Sequence, residues 1–299
     1  MLKTIVDNLY ANDLIVQPLS DRISPAPEDQ YDHYYSESRN SNGVVCCFGE
    51  SWIKGCGLEP NQYRDVIGAA LSRDLGWDFV NAGAKGFSNS WAFSNFEYMI
   101  DWLNASNYTQ GVIHIALTEN GRDIESYSVR PFDYLSAYKH LTPAATLYDQ
   151  VLTDIEDEWI ERLKRSREKL DSRFIVVIGN TVCWHERMFI NCQGIPGVYF
   201  IDKIWLEVLA DAVPKSRPPR TNTLTIVECV DRVNDILGIK DRTEYMKWFM
   251  PKSELSIKIV DWMASTPEFF ESHNLGHPNA RGHQLWADEI KKIVDARFN

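Results

Sequence analysis

The chain has 299 residues, 44% of them hydrophobic and 24% charged, which suffices for a sizeable core and excludes a mostly disordered chain, a collagen-like repeat or a small disulfide scaffold. Its 42 acids outnumber its 31 Lys and Arg, and a net charge of −11 repels phosphate backbones, so no nucleic-acid partner is expected. The six cysteines contain no C-x-x-C pair, which argues against a disulfide framework and against a zinc site.

The opening residues Met1–Asn8 carry an acid too early for a signal peptide, and no window approaches the roughly 18 unbroken apolar residues that a membrane span needs. The expectation is a cytoplasmic protein with no membrane partner. Asn104-Ala-Ser106 and Asn107-Tyr-Thr109 match the glycosylation acceptor pattern, and in such a protein they read as accidental.

Residues 1–42 read as an extension or cap, with Ser24-Pro-Ala-Pro27 turn chemistry and one short strand near Leu14–Val16. The domain proper spans 43–299. Val44–Phe48 is a short apolar run fit for a buried strand, in which Cys46 and Cys47 point to opposite faces. Residues 61–75 show helical spacing at Val66, Ala69, Ala70 and Leu75. Phe79–Val80 gives a second strand, 90–103 a helix and Gly111–Leu117 a third strand.

The clearest helix is 148–170, with Val151, Ile155, Trp159, Leu163 and Leu170 on one face, acids early and bases late, an order that suits the helix dipole. Phe174–Ile178 and Val198–Ile201 are the fourth and fifth strands. A last helix begins near Asn279, a plausible N-cap after Pro278, and turns Leu285, Trp286, Ile290, Ile293 and Val294 inward. Inserts at about 121–147 and 205–265 interrupt the rhythm; the second holds the basic turn Pro214-Lys-Ser-Arg-Pro-Pro-Arg220, read as a solvated loop.

Strands alternating with helices point to an α/β fold, a three-layer α/β/α sandwich with a parallel, flavodoxin-like sheet of about five strands. Chemistry in such sheets gathers where the strands end, so the loops after the strands matter most. The first is Gly49-Glu-Ser51-Trp52, where a Ser in a Gly-bounded turn is either a helix cap or a nucleophile. The second is Asn81-Ala-Gly-Ala-Lys-Gly86-Phe-Ser-Asn89, which lacks G-x-G-x-x-G and a following G-K-[ST], so it gives a nucleotide site only weak support. The third is Thr118-Glu-Asn120-Gly121, where Asn120 is either a turn residue or an amide donor to an oxyanion. Before the last helix comes Asn274-Leu-Gly-His277-Pro278, a fixed position for a general base.

Together and in this order, these pieces resemble the four blocks of the SGNH (GDSL-type) hydrolase superfamily. Gly49-Glu50-Ser51-Trp52 resembles the G-D-S-x block, with Glu50 in place of the usual Asp. Asn81 to Gly86 resembles the second block, Thr118-Glu-Asn120-Gly the G-x-N-D block with Thr118 and Gly121 departing from it, and Asn274 to Pro278 the D-x-x-H-P block. The likeness covers residues 44–120 and 270–297, and is similar also to uncharacterised members from bacteria and phages.

The resemblance implies a serine esterase. Ser51 attacks an ester carbonyl, His277 takes and returns its proton, and the Ser51 and Gly86 amides with the Asn120 side chain hold the oxyanion. It implies a small-molecule or glycan O-acyl ester, with O-acetyl favoured, and no metal or organic cofactor. The third triad member falls on Asn274, where the family has Asp; in another serine hydrolase that exchange costs about 10⁴-fold in turnover. Four outcomes stay open: Asn274 orients His277 through its carbonyl oxygen, Glu271 substitutes, a backbone carbonyl orients the ring of a Ser–His dyad, or activity is lost. Acyl transfer to a sugar and a non-catalytic binding protein on the same fold are the alternative functions, and the oligomeric state is not legible.

Three further histidines need an account. His114, between Ile113 and Ile115, reads as a satisfied core histidine. His185-Glu186 lacks the second His of H-E-x-x-H, yet it follows the fourth strand, where Trp184 and His185 could line the same mouth. His283 is assigned capping or surface duty.

Overall fold

The computed structural model describes residues 35–36, 41–55, 58, 65–83, 88–118, 144–181, 183–212 and 277–298. In chain order these form β1 (Tyr35–Ser36), β2 (Gly43–Gly49), α1 (Ser51–Lys54), α2 (Ile67–Leu75), β3 (Asp78–Gly83), α3 (Asn89–Ala105), β4 (Gln110–Leu117), α4 (Ala144–Lys169), β5 (Phe174–Asn180), α5 (Glu186–Cys192), β6 (Val198–Ile204), α6 (Trp205–Asp211) and α7 (Ala280–Phe298).

The sheet order is β1-β3-β2-β4-β5-β6, and its five long strands are all parallel. This is the expected flavodoxin-like winding. The strand set differs from the expectation at one edge, where the two residues of β1 pair antiparallel with β3, Tyr35 opposite Val80. The strand expected near Leu14–Val16 lies outside the described residues, as do residues 121–143 and 213–265 of the inserts, the basic turn at 214–220 included.

Every residue of β2, β3 and β5 is buried, which is why β2 and β5 read as continuous apolar runs rather than alternating ones. Alternation still sorts them by face. Cys47 joins the core under α2, α6 and α7, whereas Cys46 joins the core under α3 and α4. Burial raises the pKa of both thiols, so neither is a ready nucleophile.

On the α3–α4 face, Trp159 and Leu163 are fully buried as their spacing required. Arg162 is buried beside them because Glu97 on α3 takes it in a two-pronged bond, Nε to Oε1 at 3.0 Å and one terminal nitrogen to Oε2 at 2.7 Å. On the other face, Trp205 of α6 stacks on Trp286 of α7 at 5.3 Å and receives the edge of Trp52 at 5.0 Å. Trp205 Nε1 donates to the Gly282 carbonyl at 3.0 Å, so its one polar atom is satisfied. No described helix is long and apolar enough to cross a membrane.

From β2 the chain moves to β3, returns past β2 to β4, and continues outward through β5 to β6. The winding therefore reverses between β2 and β4, and their carboxyl ends open the crevice that this topology offers to ligands.

Truncating Trp205 removes the ring on which Trp52 and Trp286 both rest. Trp205→Ala should cost about 3–5 kcal/mol of unfolding free energy, and Trp205→Phe, which loses mainly the Gly282 bond, roughly 1–2 kcal/mol. Urea titration of both variants checks the order.

Candidate active site

Ser51 is the first residue of α1, immediately past the carboxyl end of β2. Four residues cannot sustain a helix alone. The chain around α1 holds it instead. Asn81 at the end of β3 donates its side-chain amide to the Ile53 carbonyl at 2.8 Å. Gly83 brings the end of β3 so close that a β-carbon there would stand 2.6 Å from the Ile53 carbonyl carbon. Gly55 ends the helix at φ 82°, a backbone conformation that suits glycine. Thus Asn81 and Gly83 of the second sequence block hold the Ser51 turn of the first.

His277 arrives from the far end of the chain. Asn279 caps α7 as expected, its side-chain oxygen accepting from the Gly282 amide at 3.1 Å. With the helix start fixed and Pro278 restricting the residue before it, His277 Nε2 lies 3.0 Å from Ser51 Oγ. On its other side, Ser51 Oγ donates to Glu50 Oε2, and Glu50 is buried. Of the residues that the sequence singled out for catalysis, the structure brings Ser51 and His277 together. Gly86, Asn120 and Asn274 lie outside the described residues, as does Glu271.

The stems of the two expected oxyanion loops are nevertheless joined. Asn89, just after the second block, and Thr118, first residue of the third, exchange two bonds: the Thr118 amide donates to Asn89 Oδ1 at 2.8 Å, and Asn89 Nδ2 donates to the Thr118 carbonyl at 3.0 Å. His185 Nε2 reaches that same carbonyl at 2.7 Å, and Nδ1 meets Glu156 Oε1 at 3.0 Å. His185 is buried and does not line an open mouth; it braces Thr118 from beneath, its ring edge-on to Trp159 at 5.4 Å.

A carbonyl at one ring nitrogen and a carboxylate at the other call for a proton on each. Burial alone would lower the His185 pKa; the Cys183 sulfur and Glu156 outweigh it and raise it well above the ordinary value. Glu156 is one of the early acids of the long helix. Its legible signal was its spacing, three residues before Trp159 and seven before Leu163, which places an acid on the buried face.

His114 is the satisfied core histidine its setting suggested. Nδ1 meets the Val177 carbonyl at 3.0 Å, Nε2 accepts from Trp286 Nε1 at 3.0 Å, and burial lowers its pKa to about 4, so the ring is neutral. The reading of His283 requires correction. It is fully buried against Trp205, ring centroids 5.3 Å apart, because the inward face of α7 includes it. Burial first, and the charge of His277 second, lower its pKa to about 3. Among the described residues, no group of three His, Cys, Asp or Glu is placed to hold a metal ion.

No family model and no curated protein matches the chain. Solved structures do. A member of the lipolytic G-D-S-L family from Veillonella parvula DSM 2008 is similar at 15% identity over 85% of this chain and 98% of that one, with a TM-score of 0.34. A putative lipolytic G-D-S-L protein from Desulfitobacterium hafniense DCB-2 is similar at 14% identity over 85% and 99%, with a TM-score of 0.39. A family two carbohydrate esterase from Clostridium thermocellum, solved with cellohexaose, is similar at 12% identity over 88% and 66%, with a TM-score of 0.39.

Removing His185 leaves the Glu156 carboxylate buried without its cation, so His185→Gln should cost roughly 3–5 kcal/mol at neutral pH. The folded-state pKa of His185 is raised, so its contribution is complete below about pH 6.5 and is lost as pH rises through the folded value. The stability gap between wild type and variant should therefore narrow as pH climbs, read by urea midpoints across the alkaline range. Asn89→Ala breaks the two-bond lock on Thr118 and should cost about 1–3 kcal/mol.

Proposed function

We propose that this protein is a serine esterase acting on a small or carbohydrate O-acyl ester, O-acetyl by preference. The observation that carries the reading is the hydrogen bond between Ser51 Oγ and His277 Nε2, at 3.0 Å, formed where the winding of the sheet reverses. Ser51 forms the acyl-enzyme, and His277 is the acid–base group that serves the leaving alcohol and the attacking water. The Ser51 and Gly86 amides and the Asn120 side chain are assigned to the oxyanion, and water releases the acyl group. Asn274 is assigned to the orientation of His277. The joined stems at Asn89 and Thr118 support the oxyanion assignment, since they fix the roots of both donor loops.

A glycan ester is the substrate class that the family resemblance implies; like any alkyl ester it has a poor alkoxide leaving group that needs a proton donor nearby.

An activated serine reports itself to a fluorophosphonate probe without the true substrate. Wild type should label. Ser51→Ala should abolish labelling, and His277→Ala should slow it by about 100-fold or more. Folded wild type that does not label would instead favour the non-catalytic reading. Acetate release from acetylated xylan or cellulose fragments then tests the substrate class.

A further inference from the structure

Ser51 has one hydroxyl hydrogen and two partners for it. The hydroxyl donates to Glu50 Oε2, and His277 Nε2 lies 3.0 Å from the same oxygen. With the hydrogen committed to Glu50, the bond across to His277 is made by a hydrogen on Nε2, donated to Oγ. Glu50 is the N-cap residue of α1, yet its side chain makes no capping bond to that helix; its carboxylate lies on the nucleophile instead. The family resemblance puts an Asp there, one methylene shorter, and puts an acid at 274 where this chain has Asn.

We propose that Glu50 is a catalytic acid–base of this site, the base for Ser51 in acylation, with His277 acting as the acid across the same oxygen. The inference rests on the esterase reading and deepens it. In acylation the Oγ–H bond breaks and its proton goes to Glu50 Oε2. The Oγ–carbon bond forms, and the carbonyl π pair moves to the carbonyl oxygen. On collapse the carbon–alcohol bond breaks, and the alkoxide takes the Nε2 proton of the His277 imidazolium. In deacylation neutral His277 takes a proton from the attacking water. Ser51 then leaves the acyl carbon and recovers its proton from Glu50, which restores carboxylate and imidazolium.

This division of labour accounts for Asn274. A triad needs an anion behind the ring because the imidazolium forms during the attack. In the proposed division the imidazolium stands at the start, opposite the Glu50 carboxylate across Ser51, and is discharged during acylation. A neutral amide at 274 then suffices to orient the ring.

The elements that carry the pair bring further charged or titratable groups among the described residues. Lys54 lies one helical turn after Glu50 on α1, and Arg281 and His283 stand on the first turn of α7. The ends of β3 and β4 bring Asn81, Gly83 and Thr118, which do not titrate, with the His185–Glu156 pair behind Thr118. His283 is held neutral by burial, so it does not compete for the proton.

The test is the rate of fluorophosphonate labelling against pH, from about pH 5.5 to about pH 8, a range that spans histidine titration. If Glu50 is the base and protonated His277 assists fluoride departure, wild type should label at least as fast at the acid end as at the alkaline end. Glu50→Gln leaves neutral His277 as the only base, so its rate should fall about 100-fold at the acid end and rise with pH. Glu50→Asp keeps a carboxylate and should keep the wild-type slope at a lower rate. A wild-type rate that rises with pH as that of Glu50→Gln does would overturn the proposal and leave the esterase reading standing. No labelling of folded wild type at any pH would overturn both. Should Glu50→Gln fail to fold, the slope of the wild-type profile decides alone.

Discussion

The site depends on bringing together two residues 226 positions apart, and a run of aromatic rings does most of that work. Trp52 follows Ser51 directly and sets its edge on Trp205; Trp205 stacks on Trp286 and bonds the Gly282 carbonyl in the first turn of α7. One end of the run is thus covalently next to Ser51, and the other belongs to the helix whose start delivers His277. Large rings suit this purpose because they bury much apolar area with few rotatable bonds, so the geometry they fix is costly to distort.

A second set of contacts fixes the floor. The parallel sheet places the ends of β2, β3 and β4 side by side, but strand ends alone do not order the loops that leave them. Asn81 and Gly83 clamp α1 onto β3, Asn89 locks the start of α3 to the end of β4, and the His185–Glu156 pair presses the Thr118 carbonyl from beneath. Each is a buried polar group whose bonds are made by a loop root, so the polar groups that burial must satisfy are the ones that hold the loops. The buried charges pair off for the same reason: Arg162 with Glu97 and His185 with Glu156.

Glu50 belongs to that pattern and departs from it in one respect. Its carboxylate accepts from the hydroxyl of Ser51, the next residue in the chain. A carboxylate in this position raises the electron density on Oγ and tilts the proton inventory of the site. Under the proposed division of labour, the acid at 50 and the amide at 274 are two parts of one arrangement.

The sequence by itself determined the sheet and its winding. Runs such as Val44–Phe48 and Phe174–Ile178 can bury both faces only inside a covered parallel sheet, and the helices between them carry their apolar stripes at helical spacing. It also carried Ser51 and His277, because a turn that follows a strand and a His held before Pro and a capped helix are local features. Tertiary structure alone decided what those residues touch. Whether Glu50 is a cap or a partner of Ser51, whether His185 lines a mouth or braces a carbonyl, and whether His283 faces water or Trp205 each turn on groups from 1 to 78 residues away. Spacing along one chain records periodicity within an element, whereas a hydrogen bond between elements depends on the register and packing of both, which no single stretch of sequence contains.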